Sequence, residues 1–151
     1  AILPGNARRI VRALEVVELT GGFTPALPSW TYALEGVSSI GLELPRDLMD
    51  ARIEARVDAM WAAGFVAEVR ALEARGIREG RTASRALGYR QVLDFLDGRV
   101  TEEEAREATV RGTRRFARKQ LGWFRRDSRI VWYPAGDPGL AGRLAAGLLT
   151  A

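Results

Sequence analysis

Seven positive charges, Arg111, Arg114, Arg115, Arg118, Lys119, Arg125 and Arg126, stand between positions 111 and 126 with no negative charge among them. The whole chain carries +4, and this window alone carries +7, so the remainder is net −3. A concentrated cationic segment is suited to one kind of chemistry, the recognition of a polyanion. At about 100° per residue the seven fall on one contiguous arc covering roughly half of a helix. Val110, Thr113, Phe116, Ala117, Gln120, Leu121, Trp123 and Phe124 fill the other half, which predicts a helix with one cationic and one packed face. A solvated surface helix usually mixes signs to gain i,i+4 pairs. This one does not, which favours nucleic-acid or phosphate contact over a plain solvated face.

Three further groups of residues suit anion chemistry. Arg8, Arg9 and Arg12 follow Asn6 on one predicted helix and face a single nearby carboxylate, Glu15, so they fit either a surface ion network or a phosphate contact. Arg56 lies within ~40° of Met49 and Met60 on a helical wheel, at the edge of an apolar stripe completed by Ile53 and Val57. Such a guanidinium snorkels, pairs with a carboxylate, or clamps an anion bidentately; on the residues alone the first two are the commoner outcomes. In the third group, Arg85, Tyr89, Arg90 and Gln91 could stack on and hydrogen-bond a nucleotide, or Tyr89 could simply join the core with Val92, Leu93 and Leu96. Gly88 falls inside the predicted helix there, where a glycine costs about 1 kcal/mol against alanine. It is expected to mark a close approach by another part of the chain.

The elements that must position these groups can be read in order. A first helix runs from Ala7 to about Leu19 and stops at Thr20-Gly21-Gly22. A Pro- and Gly-rich connection leads to Val37–Leu44, which reads as a short buried strand closed by Pro45. Helices follow over Arg46–Ala63, Phe65–Arg75 and Ser84–Leu96, punctuated by Gly64, Gly76 and Asp97-Gly98. Thr101-Glu102-Glu103-Glu104 is a capping box with acidic residues at the positive end of the basic helix. Arg129–Tyr133 reads as a second strand and Pro138–Leu149 as a last helix. Two strands do not make a stable sheet core, so the pattern predicts a mostly helical α/β protein whose other strands lie elsewhere.

With 47% apolar and 28% charged residues, the composition is that of a soluble globular protein. The longest uncharged run, Leu19–Leu34, contains two Gly and two Pro and reads as a loop, not a membrane span. No signal peptide is recognisable, and a cytoplasmic location is expected. Cysteine and histidine are both absent, which removes disulfides, thiol nucleophiles, a Ser/His/Asp set and, in effect, zinc. A hard cation held by carboxylates and phosphates remains compatible. No phosphate-binding loop of the GxxxxGK[ST] kind occurs, no GxGxxG, and no carboxylate stands out as a general base. Ala1-Ile2-Leu3-Pro4 does not look like an initiator sequence, and the chain reads as a fragment.

Four motifs in order, NARRIVRALEV, RIEARVDAMWAAGFVAEV, ASRALGYRQ and TRRFARKQLGWFRR, closely resemble the C-terminal half of the tRNA dimethylallyltransferase (tRNA isopentenyltransferase) family, over nearly the whole chain to about Tyr133. The resemblance implies the C-terminal half of a P-loop-type three-layer α/β enzyme. Residues 1–35 would be the trailing part of a helical tRNA-binding insertion, and residues 36–151 the second half of the catalytic core. It implies transfer of a dimethylallyl group from dimethylallyl diphosphate to N6 of the adenosine 3′ to the anticodon, with Mg²⁺ assisting. By resemblance, Arg56 acts on the diphosphate. Three segments contact the tRNA anticodon stem-loop: Arg8, Arg9, Ile10, Val11 and Arg12; then Arg85, Ala86, Leu87, Gly88, Tyr89 and Arg90; then Gly112, Thr113, Arg114, Arg115, Phe116, Ala117, Arg118 and Lys119. The family's phosphate-binding loop and general-base aspartate would lie in an N-terminal half missing here, along with most metal ligands. This chain is expected to supply no metal ligands and to be inactive alone. A non-catalytic RNA-binding fragment, and prenyl transfer to free adenine nucleotides, are the alternatives.

Overall fold

The structure, a computed structural model, describes residues 5–23 and 31–149. Ala1–Pro4 and residues 24–30 of the Pro- and Gly-rich connection lie outside the described residues. The chain divides into two compact units, Ala1–Ala33 and Leu34–Ala151. In the first, helix α1 (Ala7–Thr20) starts where the Asn6 side chain accepts the Arg9 backbone N–H (3.3 Å) and ends at Gly21 with φ +76°. It buries none of its residues.

The second unit begins with strand β1 (Ser39–Glu43) and then a run of helices: α2 (Arg46–Ala62), α3 (Phe65–Glu73), two short 3₁₀ turns at Ile77–Glu79 and Ala83–Arg85, α4 (Tyr89–Leu96) and α5 (Glu102–Phe124). Strand β2 (Ile130–Pro134) and helix α6 (Leu140–Leu149) complete it. Gly64 and Gly76, at φ +93° and +86°, make the turns that the sequence punctuation predicts. The capping box is as read: Thr101 Oγ1 accepts the Glu104 N–H (3.2 Å), and Glu104 Oε2 accepts the Thr101 N–H (2.7 Å).

Two apolar clusters hold the helices together. Phe65, Val69, Val92 and Leu93 join α3 to α4, with Tyr89, Leu96 and Ile77 packed around them. Ile53, Val57 and Val110 join α2 to α5, with Met49 and Ala117 alongside. Trp61 touches both clusters and so ties them into one block.

The strands pair in parallel, with Ser39 opposite Ile130 and Glu43 opposite Pro134. Gly41 is required by close approach, since a Cβ there would lie 2.5 Å from the Trp132 ring. The expectation of a buried strand is not met. Leu42 is 57% exposed and Val131 55%, although parallel strands normally have both faces covered.

Gly88 also departs from the sequence reading. It does not lie inside a helix but stands before α4 with φ +92°. Its N–H is accepted by Gln91 Oε1 (2.9 Å), and an added Cβ would come within 3.1 Å of the Phe65 ring. The close approach is real, but the helix breaks there because only glycine adopts that backbone without strain. Gly88→Ala is therefore expected to destabilise the protein by about 1–3 kcal/mol, measured by urea unfolding.

The start of α5 makes stability depend on acid. The Thr101 backbone N–H holds the Glu104 carboxyl below its ordinary value, and the Arg106 side chain does the same for Glu103. A depressed carboxylate stabilises the fold above its unfolded pKa, and that contribution fades as pH falls through the folded value. Thermal melts should therefore lose stability below about pH 4, and Glu104→Gln should blunt that loss.

Candidate functional site

Helix α5 carries five of the seven cations, since it ends at Phe124 before Arg125 and Arg126, and it does not present them as one free face. Arg114 is only half-exposed and turns toward α2, where its Nη2 donates to Glu54 Oε2 (2.8 Å) and to the Asp50 carbonyl (3.3 Å). Its Nε is buried without a hydrogen-bond partner, 3.8 Å from Asp50 Oδ1. Arg111 pairs with Glu107 (2.9 Å) and Arg125 with Glu43 (3.2 Å). Charge counting on one helix missed these partners because two of the three sets lie on other elements. Among the described residues, Arg115, Arg118, Lys119 and Arg126 are exposed with no ion-pair partner.

The opposite face of α5 also differs from the expected packed one. Val110 is buried and Ala117 and Leu121 are half-buried, but Phe116, Trp123 and Phe124 are 55%, 59% and 47% exposed. Beside them a hollow of about 500 Å³ opens between α5 and the sheet, lined by Ile40, Leu42, Met49, Leu121, Phe124 and Trp132, among others. Thr113 is half-buried and donates to the Thr109 carbonyl (2.8 Å). Gly112 makes room for a neighbour, since a Cβ there would lie 2.6 Å from Leu87 Cδ1.

That leucine leads to the second feature. Leu87 lines a hollow of about 360 Å³ between α2 and α5, together with Met49, Ile53, Val57, Met60, Thr109 and Thr113. Arg56 and Arg52 complete its lining. Arg56 is exposed rather than tucked into the apolar stripe, and no carboxylate of the described residues pairs with it. Of the two outcomes that its sequence position favoured, snorkelling and a salt bridge, the salt bridge does not occur among the described residues. Three of the four carboxylates of α2 are engaged by α5: Asp50 and Glu54 with Arg114, and Asp58 with Arg106. Arg106 is also held by Glu103 (2.7 Å), and the two carboxylates keep it firmly protonated.

In the Arg85–Arg90 segment, Tyr89 packs edge-on against Phe65 (centroids 5.2 Å apart) and its hydroxyl donates to Glu68 (2.6 Å), which raises the phenol above its ordinary pKa. Its ring belongs to the α3–α4 core. Ala86 and Leu87 are exposed and Gly88 is buried. Arg85 and Arg90 are exposed, have no carboxylate partner among the described residues, and line a third hollow, of about 430 Å³, with Arg78 and Arg99. Sequence reasoning passed over these last two, which Asp97 brings together by pairing with both (2.7 and 2.5 Å). On α1, Arg8, Arg9, Val11 and Arg12 are exposed and Ile10 is half-exposed; Arg12 pairs with Glu15 (3.2 Å). Among the described residues no three carboxylates converge to hold a metal ion, and no helix is long and apolar enough to cross a membrane.

Residues 1–127 match the model of the IPP transferase family, and the chain belongs to that family. The resemblance carried by the four motifs is thus borne out. Over 137 residues, 90% of the chain, it is 69% identical to a tRNA dimethylallyltransferase of Kineococcus radiotolerans, and over its whole length it is 60% identical to one of Cutibacterium acnes. These alignments cover 43% and 47% of those relatives, so the chain spans a little under half their length. The fold is similar to the full-length tRNA isopentenylpyrophosphate transferase of Bacillus halodurans (TM-score 0.70, 37% identity, 99% of this chain and 47% of that one). It is also similar to the tRNA delta(2)-isopentenylpyrophosphate transferase of Staphylococcus epidermidis (TM-score 0.71, 26% identity, 99% and 51%).

The two kinds of arginine on α5 should respond differently to substitution. Arg114→Ala should cost about 1 kcal/mol of stability by releasing Asp50 and Glu54, whereas Arg118→Ala should stay within about 0.5 kcal/mol of the parent. Denaturant unfolding of both variants checks this.

Proposed function

We propose that this chain is the C-terminal half of a tRNA dimethylallyltransferase. Residues 1–35 end a helical tRNA-binding insertion, and residues 36–151 are the second half of a P-loop-type three-layer α/β core. The observation that carries this reading is Arg56, a guanidinium without a counter-ion on the lining of an apolar-walled hollow. A cation beside a hydrocarbon surface suits a ligand that is itself an anion joined to a hydrocarbon, such as dimethylallyl diphosphate. The exposed faces of β1 and β2 and the apolar hollow beside α5 suit a half-core that the preceding part of the enzyme covers.

In the reaction, N6 of the adenosine 3′ to the anticodon attacks C1 of the dimethylallyl group. The N6–C1 bond forms as the C1–O bond to diphosphate breaks, and the N6 proton leaves to a base outside this chain. Negative charge grows on the departing oxygens. A guanidinium at Arg56 stabilises that charge more in the transition state than in the ground state. The cations without partners on and just after α5, Arg115, Arg118, Lys119 and Arg126, hold the phosphates of the anticodon stem-loop. Arg8, Arg9, Arg85 and Arg90 add further phosphate contacts. Mg²⁺, where it assists, would neutralise diphosphate charge. Asp50, Glu54 and Asp58 of α2 pair with Arg114 and Arg106, and no step here runs through the cation. The proposed tRNA substrate is in keeping with the expected cytoplasmic location.

Prenyl-transfer assays test the reading. The chain alone should transfer nothing, and adding the N-terminal half should bring activity; transfer by the chain alone would contradict the division of labour. In the complete enzyme, Arg56→Ala should lower kcat more than it raises the KM for tRNA. Reversing charge at Arg118 should weaken tRNA binding and reduce the log–log salt slope by ~0.7–0.9, a change that filter binding across salt concentrations would read.

A further inference from the structure

Arg52 has no role in the reading so far. We propose that it is a second diphosphate-binding guanidinium, acting with Arg56 on one anion while the apolar wall of the same hollow takes the hydrocarbon chain. The inference rests on the proposed function and names a further substrate-binding residue for it.

Three observations carry it. First, the spacing of α2 denies both arginines a partner. The neighbours of Arg52 at three and four residues are Leu48, Met49, Ala55 and Arg56; those of Arg56 are Arg52, Ile53, Ala59 and Met60. Each therefore has only the other as a charged neighbour on that face, a like-charge arrangement that weakens an isolated helix. Second, every carboxylate of α2 that forms an ion pair does so with α5: Asp50 and Glu54 with Arg114, Asp58 with Arg106. Among the described residues this leaves Arg52 and Arg56 exposed and unpaired, both lining the hollow. Third, nothing else in that lining is free to donate. Met49, Ile53, Val57, Met60 and Leu87 are apolar, and Thr109 and Thr113 already donate to the Ala105 and Thr109 carbonyls (2.8 Å each). An anion seated there meets two guanidinium forks and no other donor of the lining. Their Cβ atoms are about 5–6 Å apart, one turn of helix, which lets the forks converge on adjacent phosphoryl groups. An RNA phosphate would satisfy the arginines equally well but has no use for five apolar side chains beside them.

The test compares Arg52→Ala, Arg52→Lys and Arg56→Ala in the complete enzyme, using inorganic pyrophosphate as the inhibitor and dimethylallyl diphosphate and tRNA as substrates. Arg52→Ala should raise both the pyrophosphate inhibition constant and the KM for dimethylallyl diphosphate about ten-fold or more, the loss of one charge-assisted contact. The KM for tRNA should stay within about two-fold, well under the factor of ten that 1.4 kcal/mol represents, and Arg52→Lys should recover part of the loss. The melting midpoint should hold or rise, because a like-charge neighbour is removed; a merely structural arginine would lower it. A changed tRNA KM and salt slope with an unmoved pyrophosphate constant would make Arg52 an RNA contact and overturn the proposal. No change in any parameter would make it a solvated surface residue and overturn it equally. If Arg56→Ala weakens pyrophosphate and Arg52→Ala does not, only this inference fails. If neither does, the diphosphate does not bind in this hollow, and the role given to Arg56 fails with it.

Discussion

Helices α2 and α5 meet along a seam that is apolar in the middle and ionic along its length. Ile53, Val57 and Val110 form the apolar part; Asp50 and Glu54 hold Arg114, and Asp58 holds Arg106. The ionic contacts are individually modest because they are partly solvated. Their larger effect is to sort charge. They hold the pairing carboxylates of α2 against α5, while Arg52 and Arg56 line the hollow under Leu87. They also remove Arg114 from the cationic face of α5, and among the described residues Arg115, Arg118 and Lys119 remain as its exposed cations without an ion-pair partner. Any function that needs unpaired cations in this chain depends on that sorting.

Small residues set the shape around the seam. Gly88 takes a backbone conformation closed to other residues, brings its backbone against Phe65, and so fixes where α4 begins. Gly112 gives up a side chain on α5 so that Leu87 can lie across it and line the hollow. Two residues of segments that resemble tRNA contacts are thus also required by packing. Substituting them would change the hollow as well as any RNA surface, and cationic neighbours such as Arg118 separate the two effects better.

The sequence made the elements legible wherever the signal was local. The capping box at Thr101, the stops at Gly64 and Gly76 and the helical period of α2 and α5 all produced elements where they were read. What it could not show were pairings across elements. Arg114 and Arg118 are equivalent on a helical wheel, and only the approach of Glu54, sixty residues away, distinguishes them. Phe116, Trp123 and Phe124 read as a packed face because periodicity reports which residues prefer burial, not what is present to bury them. The position of Arg56 at the edge of the apolar stripe was legible, as was the lack of a carboxylate three or four residues away, but whether another element would supply one was not.

The central claim is that the cation-lined hollow between α2 and α5 receives the diphosphate while the unpaired cations of α5 receive RNA. A crystal structure of the complete enzyme with an anticodon hairpin and a non-cleavable dimethylallyl diphosphate analogue tests both parts at once. The account predicts phosphoryl oxygens within hydrogen-bonding distance of the Arg56 guanidinium, the hydrocarbon against Met49, Met60 and Leu87, and RNA phosphates along Arg115, Arg118 and Lys119. A diphosphate bound elsewhere, with the hollow filled by protein and α5 facing solvent, would contradict it.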